Sequence, residues 1–126
     1  METITSRHNP LVAHLRRLAS SGSYRRERGE FLCDSPKLLH EALLHGAELL
    51  TVAATRGMAL PDGIHAGVRL VEVPEDVMQL ISPAKTPQGV VFTCRLPRTE
   101  CPQTLTGARY LALDGVQDPG NVGTIL

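Results

Sequence analysis

The residues near the carboxyl end of the chain have the types and spacing of a ligand-binding loop. The stretch DGVQDPGNVGTI follows an apolar run and contains Gly115, Gly120 and Gly123. Glycine permits positive φ and a close approach of the backbone to a ligand. Pro119 stiffens the turn, and the amide of Asn121 offers both a hydrogen-bond donor and an acceptor. Spacing alone leaves an ordinary tight turn open, because the pattern is neither GxGxxG nor a Walker loop.

A second group of residues is basic and could contact phosphate groups. The first thirty residues contain six arginines and three glutamates, although the whole chain has thirteen basic and thirteen acidic residues. Guanidinium groups donate paired hydrogen bonds to phosphate oxygens, so this segment could form a phosphate-contacting face. A solvated amphipathic helix is the alternative explanation, and Asn9 could simply cap that helix. The candidates on this face are Arg7, Asn9, Arg16, Arg17, Arg25 and Arg26.

A turn-rich connection, SPAKTPQG, contains a third group of candidates. Lys85, Thr86 and Gln88 bring together a charge, a hydroxyl and an amide within four residues. Lysine can contact phosphate, and amides can reach ribose hydroxyls or base edges. The alternative is a turn that only sets the register of the strand that follows.

Composition excludes several other functions. His40 and His45 are five residues apart, which is the wrong spacing for one helical face, and the three cysteines form no CxxC pair. We therefore expect no metal site. Only 3% of the residues are aromatic and none is Trp, which argues against a sheet that stacks bases on aromatic rings. No apolar run approaches 18 residues, so we expect no membrane span and a cytoplasmic, reducing location.

Hydrophobic periodicity places these residues on alternating helices and strands. Helices are predicted over NPLVAHLRRLA, DSPKLLHEALLHG and PEDVMQLI, the first two with Asn9 and Ser35 as caps and a proline at the next position. Strands are predicted at FLC, ELLTVAA, VRLVEV and VVFTCR. SSGSYRRERGE is a polar break with at most one helical turn. The alternation predicts an α/β domain in which helices cover a sheet.

The chain divides into three parts by composition. Residues 1–96 are predicted to form one complete domain, and residues 97–107 have the polar, proline-bearing composition of a linker. Residues 108–126 begin with the apolar run RYLALDGV, which we expect to be the first strand of a second domain, followed by the glycine loop and a helix start.

The residue string LDGVQDPGNVGTIL closely resembles the first motif of the SpoU-type (TrmH-like) RNA ribose methyltransferases of the SPOUT superfamily. SRHNPLVAHLRRL, YRRERGEFLCDSPKLLHEAL and SPAKTPQGVV are similar to signatures of that family's amino-terminal substrate-binding domain. The resemblance implies a three-layer α/β/α sandwich like that of the ribosomal proteins that bind RNA kink-turns. One departure is Asp34-Ser35, where the family has Glu-Gly; we expect this change to be mild, because serine still caps a helix.

The family resemblance also implies a reaction. Members transfer a methyl group from S-adenosylmethionine to a ribose 2′-oxygen of ribosomal or transfer RNA, and Arg25 matches a basic position of the substrate-binding domain. Asn121 matches the asparagine of the catalytic motif, whose partner arginine would follow Leu126. The cofactor pocket belongs to later motifs in a knotted domain that usually dimerises. We therefore expect this chain to recognise RNA, to lack the cofactor-binding half of the parent enzyme, and to be inactive alone.

Two alternatives belong to other functional classes. A free-standing, non-catalytic RNA-binding module of the kink-turn type would have no reason to contain the segment after Gly107, whose apolar strand would be exposed. A nucleotide-binding α/β protein fits poorly, because the glycine loop contains no lysine or arginine.

Overall fold

The computed structural model describes all 126 residues, and its centre is one five-stranded mixed sheet. The strands are β1 (Glu2–Thr3), β2 (Glu30–Asp34), β3 (Leu49–Thr55), β4 (Arg69–Val73) and β5 (Val90–Arg95). Their order across the sheet is β1-β4-β3-β5-β2. The first three strands in that order are parallel, whereas β5 is antiparallel to both of its neighbours. The four strands predicted over residues 1–96 are confirmed, and β1 was not predicted, because two residues show no periodicity.

Five helices accompany the sheet. They are α1 (Pro10–Ser20), α2 (Gly22–Arg28), α3 (Pro36–Leu44), α4 (Glu75–Ile81) and α5 (Pro119–Ile125). The predictions for α1, α3 and α4 are confirmed. The polar break is more helical than predicted, because Ser21 Oγ accepts a hydrogen bond from Tyr24 N and Gly29, at φ +61°, ends a seven-residue helix.

Helices lie on both faces of the sheet, as the sandwich prediction requires. Along β3 the side chains alternate, so that Ala53 faces α1 and α4 while Val52 and Ala54 face α3. The face under α1 and α4 buries a larger cluster that includes Leu15 and Leu18, both less than 2% exposed. On the other face α3 contributes Leu39, and apolar side chains of the connection between β3 and β4 complete the layer.

Serine at position 35 was predicted to be a mild change, and for the backbone this prediction is wrong. Its hydroxyl does cap α3, accepting a hydrogen bond from Leu38 N at 3.2 Å. However, its backbone has φ +108° and ψ 144°, and it is the only residue other than glycine with a positive φ. Glycine alone adopts this region without strain, and other residues there cost about 1–3 kcal/mol. The serine is therefore strained at a position where glycine would not be.

The strand predicted over RYLALDGV, residues 109–116, is wrong. Residues 97–118 contain no strand or helix, and every residue from 97 to 126 is exposed except the half-buried Val122. A strand needs a neighbour for its N–H and C=O groups, and no strand of the sheet pairs with this segment. The predicted helix start is confirmed, because Asp118 Oδ1 accepts from Gly120 N at 2.8 Å at the beginning of α5. No helix in the structure is long and apolar enough to cross a membrane.

Candidate nucleic-acid interface

Four of the predicted arginines lie around the turn between α1 and α2. Arg16 and Arg17 are exposed near the end of α1, and Arg25 and Arg26 follow in α2. The guanidinium groups of Arg25 and Arg26 converge beside Gly22, each with a nitrogen 3.5 Å from where a Cβ atom would lie. None of the four forms a salt bridge. We call these four residues the arginine cluster; no carboxylate pairs directly with any of its guanidinium groups.

A hydrogen-bonded chain beneath the cluster fixes one of its members. The guanidinium carbon of Arg17 lies 3.9 Å from the ring centre of Tyr24. The hydroxyl of Tyr24 is 2.9 Å from His14 Nδ1, and His14 Nε2 is 3.1 Å from Oε2 of Glu30, which is 9% exposed. These contacts join α1, α2 and β2. These contacts were not predicted, because no spacing along the chain indicates that residues from three elements meet.

Arg25 has a structural contact in addition to its charge. Its Nη1 donates a 2.7 Å hydrogen bond to the carbonyl oxygen of Leu18, in the last turn of α1. Carbonyl groups at a helix C-terminus lack intrahelical hydrogen-bond partners. An arginine there donates a hydrogen bond to such an oxygen, and its positive charge interacts favourably with the helix dipole. Half-buried Arg25 therefore holds α2 against α1, and Arg26 is the exposed member of the pair.

An open groove runs beside the arginine cluster. Arg7 contacts Asp76 at the start of α4, with 4.0 Å between Nε and Oδ2. α1 packs against α4, and residues of both helices line the groove. The lining residues are Ala13, Arg16, Arg17, Ala19, Ser20, Leu80 and Pro83.

The second candidate group lies on the loop of residues 82–89, which begins at this groove. Lys85, Thr86 and Gln88 are all exposed. The loop is anchored, because Ser82 Oγ donates to Asp34 Oδ2 at 2.9 Å and Gln79 Nε2 donates to the carbonyl oxygen of Lys85 at 3.2 Å. Pro83 lines the groove and also belongs to this loop, so the loop and the arginine cluster border one surface.

Gly89 ends the loop at a position where any other residue would be strained. Its φ is +81°, and a Cβ atom there would lie 2.8 Å from Met58 Cε and 2.9 Å from Thr55 Oγ1. Its carbonyl oxygen accepts from both N and Oγ1 of Thr55, at 2.9 and 3.3 Å. The end of β3 therefore fixes where the loop returns to the sheet.

Two further basic residues lie at the same edge of the sheet and were not predicted. Lys37 is in the first turn of α3, Arg56 follows β3, and both are exposed. The backbone N of Ser35 donates to the carbonyl oxygen of Val90 at 3.3 Å, which brings the start of α3 to the end of the loop. Neither Lys37, Arg56 nor Lys85 forms a salt bridge. The sequence could not indicate this grouping without the strand order β3-β5-β2. We call these three residues the strand-end cations.

The remaining predicted residues lie apart from the arginine cluster. Arg7 is at the opposite end of α1, an eleven-residue helix of about 16 Å. Asn9 caps α1, since its Oδ1 accepts from Leu11 N at 2.8 Å. Asn121 is exposed on α5.

The residues around Asn121 do not fit S-adenosylmethionine. A binding site for a ligand of this size is a concave, largely apolar pocket that buries most of the ligand surface. Residues 107–126 are exposed except Val122, so the segment encloses no such space. No group of three His, Cys, Asp or Glu side chains is arranged to hold a metal ion.

Comparison with known proteins decides the family. Residues 9–91 match the model of the MRM3-like substrate binding domain. The chain belongs to this family. The domain contains the whole arginine cluster, the strand-end cations and the loop of residues 82–89.

Individual relatives agree with that assignment. The chain is 26% identical over 126 residues to the 23S rRNA (guanosine(2553)-2′-O)-methyltransferase RlmP of Bacillus subtilis, covering all of this chain and 49% of that protein. A solved RNA 2′-O ribose methyltransferase is 30% identical with a TM-score of 0.69, covering 98% of this chain and 49% of that one. An AdoMet-bound rRNA methyltransferase from Sinorhizobium meliloti is 26% identical with a TM-score of 0.65, covering 76% and 37%.

Two consequences follow from these comparisons. The predicted resemblance to SpoU-type (TrmH-like) RNA methyltransferases is confirmed. The chain spans about half the length of the Bacillus protein.

Proposed function

We propose that this chain is the RNA-recognition portion of an S-adenosylmethionine-dependent methyltransferase that modifies ribose 2′-oxygens of ribosomal or transfer RNA. The proposal depends on two features that occur in the same segment of the chain. The segment that matches a substrate-binding domain, residues 9–91, also carries two groups of cations without carboxylate partners, all of them exposed except the half-buried Arg25. RNA is the substrate class named for the relatives, and its phosphates complement such a surface.

We expect the two cationic groups to contact different parts of the RNA. The arginine cluster would contact the phosphate backbone, because guanidinium groups bind phosphate oxygens in pairs. The anchored loop would bring Lys85, Thr86 and Gln88 to phosphate, ribose hydroxyls and base edges. The chain has no net charge, so attraction to RNA depends on this local concentration and should weaken steeply as salt concentration rises.

Catalysis is assigned to Asn121 acting together with residues outside this chain. In the proposal residues 1–96 bind RNA, residues 97–107 link, and residues 108–126 begin the knotted SPOUT domain, where Asn121 belongs to the first catalytic motif. The cofactor supplies an electrophilic methyl group, and the exposed segment around Asn121 provides no enclosed site for it. The kink-turn-like mode of binding, the homodimer of the parent protein and its cytoplasmic location stay predictions.

Two titrations of the 126-residue protein test the proposal. Filter binding with a labelled 23S rRNA transcript should give saturable binding that weakens as salt is raised from about 50 to 200 mM. Calorimetry with S-adenosylmethionine should give no binding in the micromolar range. Micromolar binding of the cofactor, or methyl transfer to the transcript by this chain alone, would contradict the dependence of catalysis on residues outside this chain.

The free-standing RNA-binding module is a second candidate, and one observation favours it. The sheet and both buried clusters lie within residues 1–96, and residues 97–126 contribute no residue to either cluster. A longer product of the same reading frame that methylates RNA would exclude this alternative.

A further inference from the structure

The groove between α1 and α4 is lined in part by an arginine whose guanidinium group contacts an aromatic ring. Arg17 lines the groove, and its guanidinium carbon is 3.9 Å from the ring centre of Tyr24. Tyr24 is itself held by the hydrogen bond between its hydroxyl and His14 Nδ1. Contact with a fixed ring limits the rotamers of Arg17 before any ligand arrives, so less conformational entropy would be lost on binding.

The other surfaces of the groove suit a flat, partly apolar ligand with a negative charge nearby. Ala13, Leu80 and Pro83 present apolar carbon atoms. Arg16 lines the same groove and forms no salt bridge, so it could contact an adjoining phosphate. A nucleobase attached to its own phosphate has this combination of a flat apolar face and a neighbouring anion.

We propose that this groove receives one unpaired nucleobase of the RNA, stacked on the guanidinium plane of Arg17, with Arg16 on the adjoining phosphate. The inference rests on the proposed RNA-binding function and adds a preference for bulged or single-stranded nucleotides. Bases splayed out of an RNA helix stack on aromatic rings or on arginine planes. Of the other aromatic residues, Phe92 is buried and Phe31 packs against the core on the α3 face of the sheet. Tyr110 is exposed but lies outside residues 9–91, the segment that matches the substrate-binding domain.

A pair of RNAs and a pair of variants isolate the stacking contact. The first RNA is a duplex with one bulged adenosine, and the second carries an abasic ribose at the same bulge, so that both have the same number of phosphates. Arg17→Lys keeps the charge and removes the guanidinium plane, whereas Arg16→Lys makes the same exchange at a residue that does not stack on Tyr24. Circular dichroism and thermal unfolding of each variant check that the fold is retained.

For the unchanged protein we expect the abasic RNA to bind about tenfold more weakly than the bulged RNA, in line with base-stacking contacts elsewhere. Arg17→Lys should abolish this difference by weakening binding of the bulged RNA alone, and Arg16→Lys should preserve it. Equal binding of the two RNAs by the unchanged protein, or an undiminished difference in Arg17→Lys, would overturn the proposal while leaving RNA binding intact. Failure to bind either RNA would contradict the proposed function as well.

Discussion

The hydroxyl of Ser82 donates a 2.9 Å hydrogen bond to Oδ2 of Asp34, and this bond ties the end of β2 to the loop of residues 82–89. Ser82 Oγ also accepts from Ala84 N at 3.1 Å, so one hydroxyl connects a strand carboxylate to the loop backbone. The short side chain of Asp34 is sufficient to reach the serine. The position of Lys85, Thr86 and Gln88 therefore depends on the side chain of Ser82, which is not among the residues proposed to contact RNA.

Replacing Ser82 with alanine should loosen this loop. The change leaves a half-buried carboxylate and a backbone N–H without their partner, so we expect the free energy of unfolding to fall by about 1–2 kcal/mol. Urea denaturation measures the loss, and filter binding should show weaker RNA binding. Thr86→Ala is the control, because exposed Thr86 makes no side-chain hydrogen bond within the chain. Equal stability of the two variants would contradict the anchoring role.

Replacing Ser35 with glycine should stabilise the protein. The exchange removes backbone strain of about 1–3 kcal/mol at φ +108° and loses a serine cap, which glycine replaces at a cost of only a few tenths of a kcal/mol. We expect a net gain of about 1 kcal/mol in the free energy of unfolding. Ser21→Gly is a matched control, since Ser21 also caps a helix but has φ −126°. That control should destabilise the protein, and a loss in Ser35→Gly would show that its backbone is not strained.

Charge reversal should separate the two arginines of α2. Arg25→Glu removes the hydrogen bond to the Leu18 carbonyl oxygen and places a carboxylate near the C-terminus of α1, so we expect a loss of about 1–2 kcal/mol in the free energy of unfolding. Arg26→Glu should change stability by less than about 0.5 kcal/mol and still weaken RNA binding. Chemical denaturation and filter binding of both variants measure the two effects. A fully stable Arg25→Glu protein would show that the contact with α1 contributes nothing.

The three thiols should differ in reactivity. Burial raises the pKa of Cys94 to about 11, and burial beside Asp34 also raises the pKa of Cys33, whereas Cys101 is exposed. Because the thiolate is the nucleophile, iodoacetamide at pH 8 should modify Cys101 and leave Cys94 intact. Folding favours the protonated Cys94, so its contribution to stability is complete below the ordinary thiol pKa of 9.0 and is lost as pH rises toward about 11. Peptide mass spectrometry of the alkylated protein checks the order, and early modification of Cys94 would contradict it.

Local sequence signals were sufficient to predict most of the helices and strands. Pro10 after Asn9 and Pro36 after Ser35 mark helix starts that the structure confirms, and the alternating residues of β4 mark a strand. The strand predicted over residues 109–116 is absent, because apolar residues with a strand-like pattern still need a neighbouring strand. Helix α2 is longer than the single turn that was predicted, because contacts of Tyr24 with His14 and Arg17 add to the weak helix propensity of this segment.

The candidate site was only partly accessible from sequence. Arg16, Arg17, Arg25 and Arg26 could be grouped because they are close along the chain. Lys37 and Arg56 could not, since the sheet brings their segments to the loop of residues 82–89 from sites far apart in sequence. The structural role of Arg25 also required tertiary information, because its partner carbonyl lies seven residues away in a different helix.

The most direct test of the account is RNA binding by a variant that reverses the exposed members of the arginine cluster, Arg16→Glu, Arg17→Glu and Arg26→Glu together. Arg25 is kept because it supports the fold. Filter binding to a 23S rRNA transcript should show at least a tenfold loss of affinity and a shallower dependence on salt, because fewer phosphates are contacted. A variant that stays folded by circular dichroism and binds with unchanged affinity and salt dependence would contradict the claim that this surface recognises RNA.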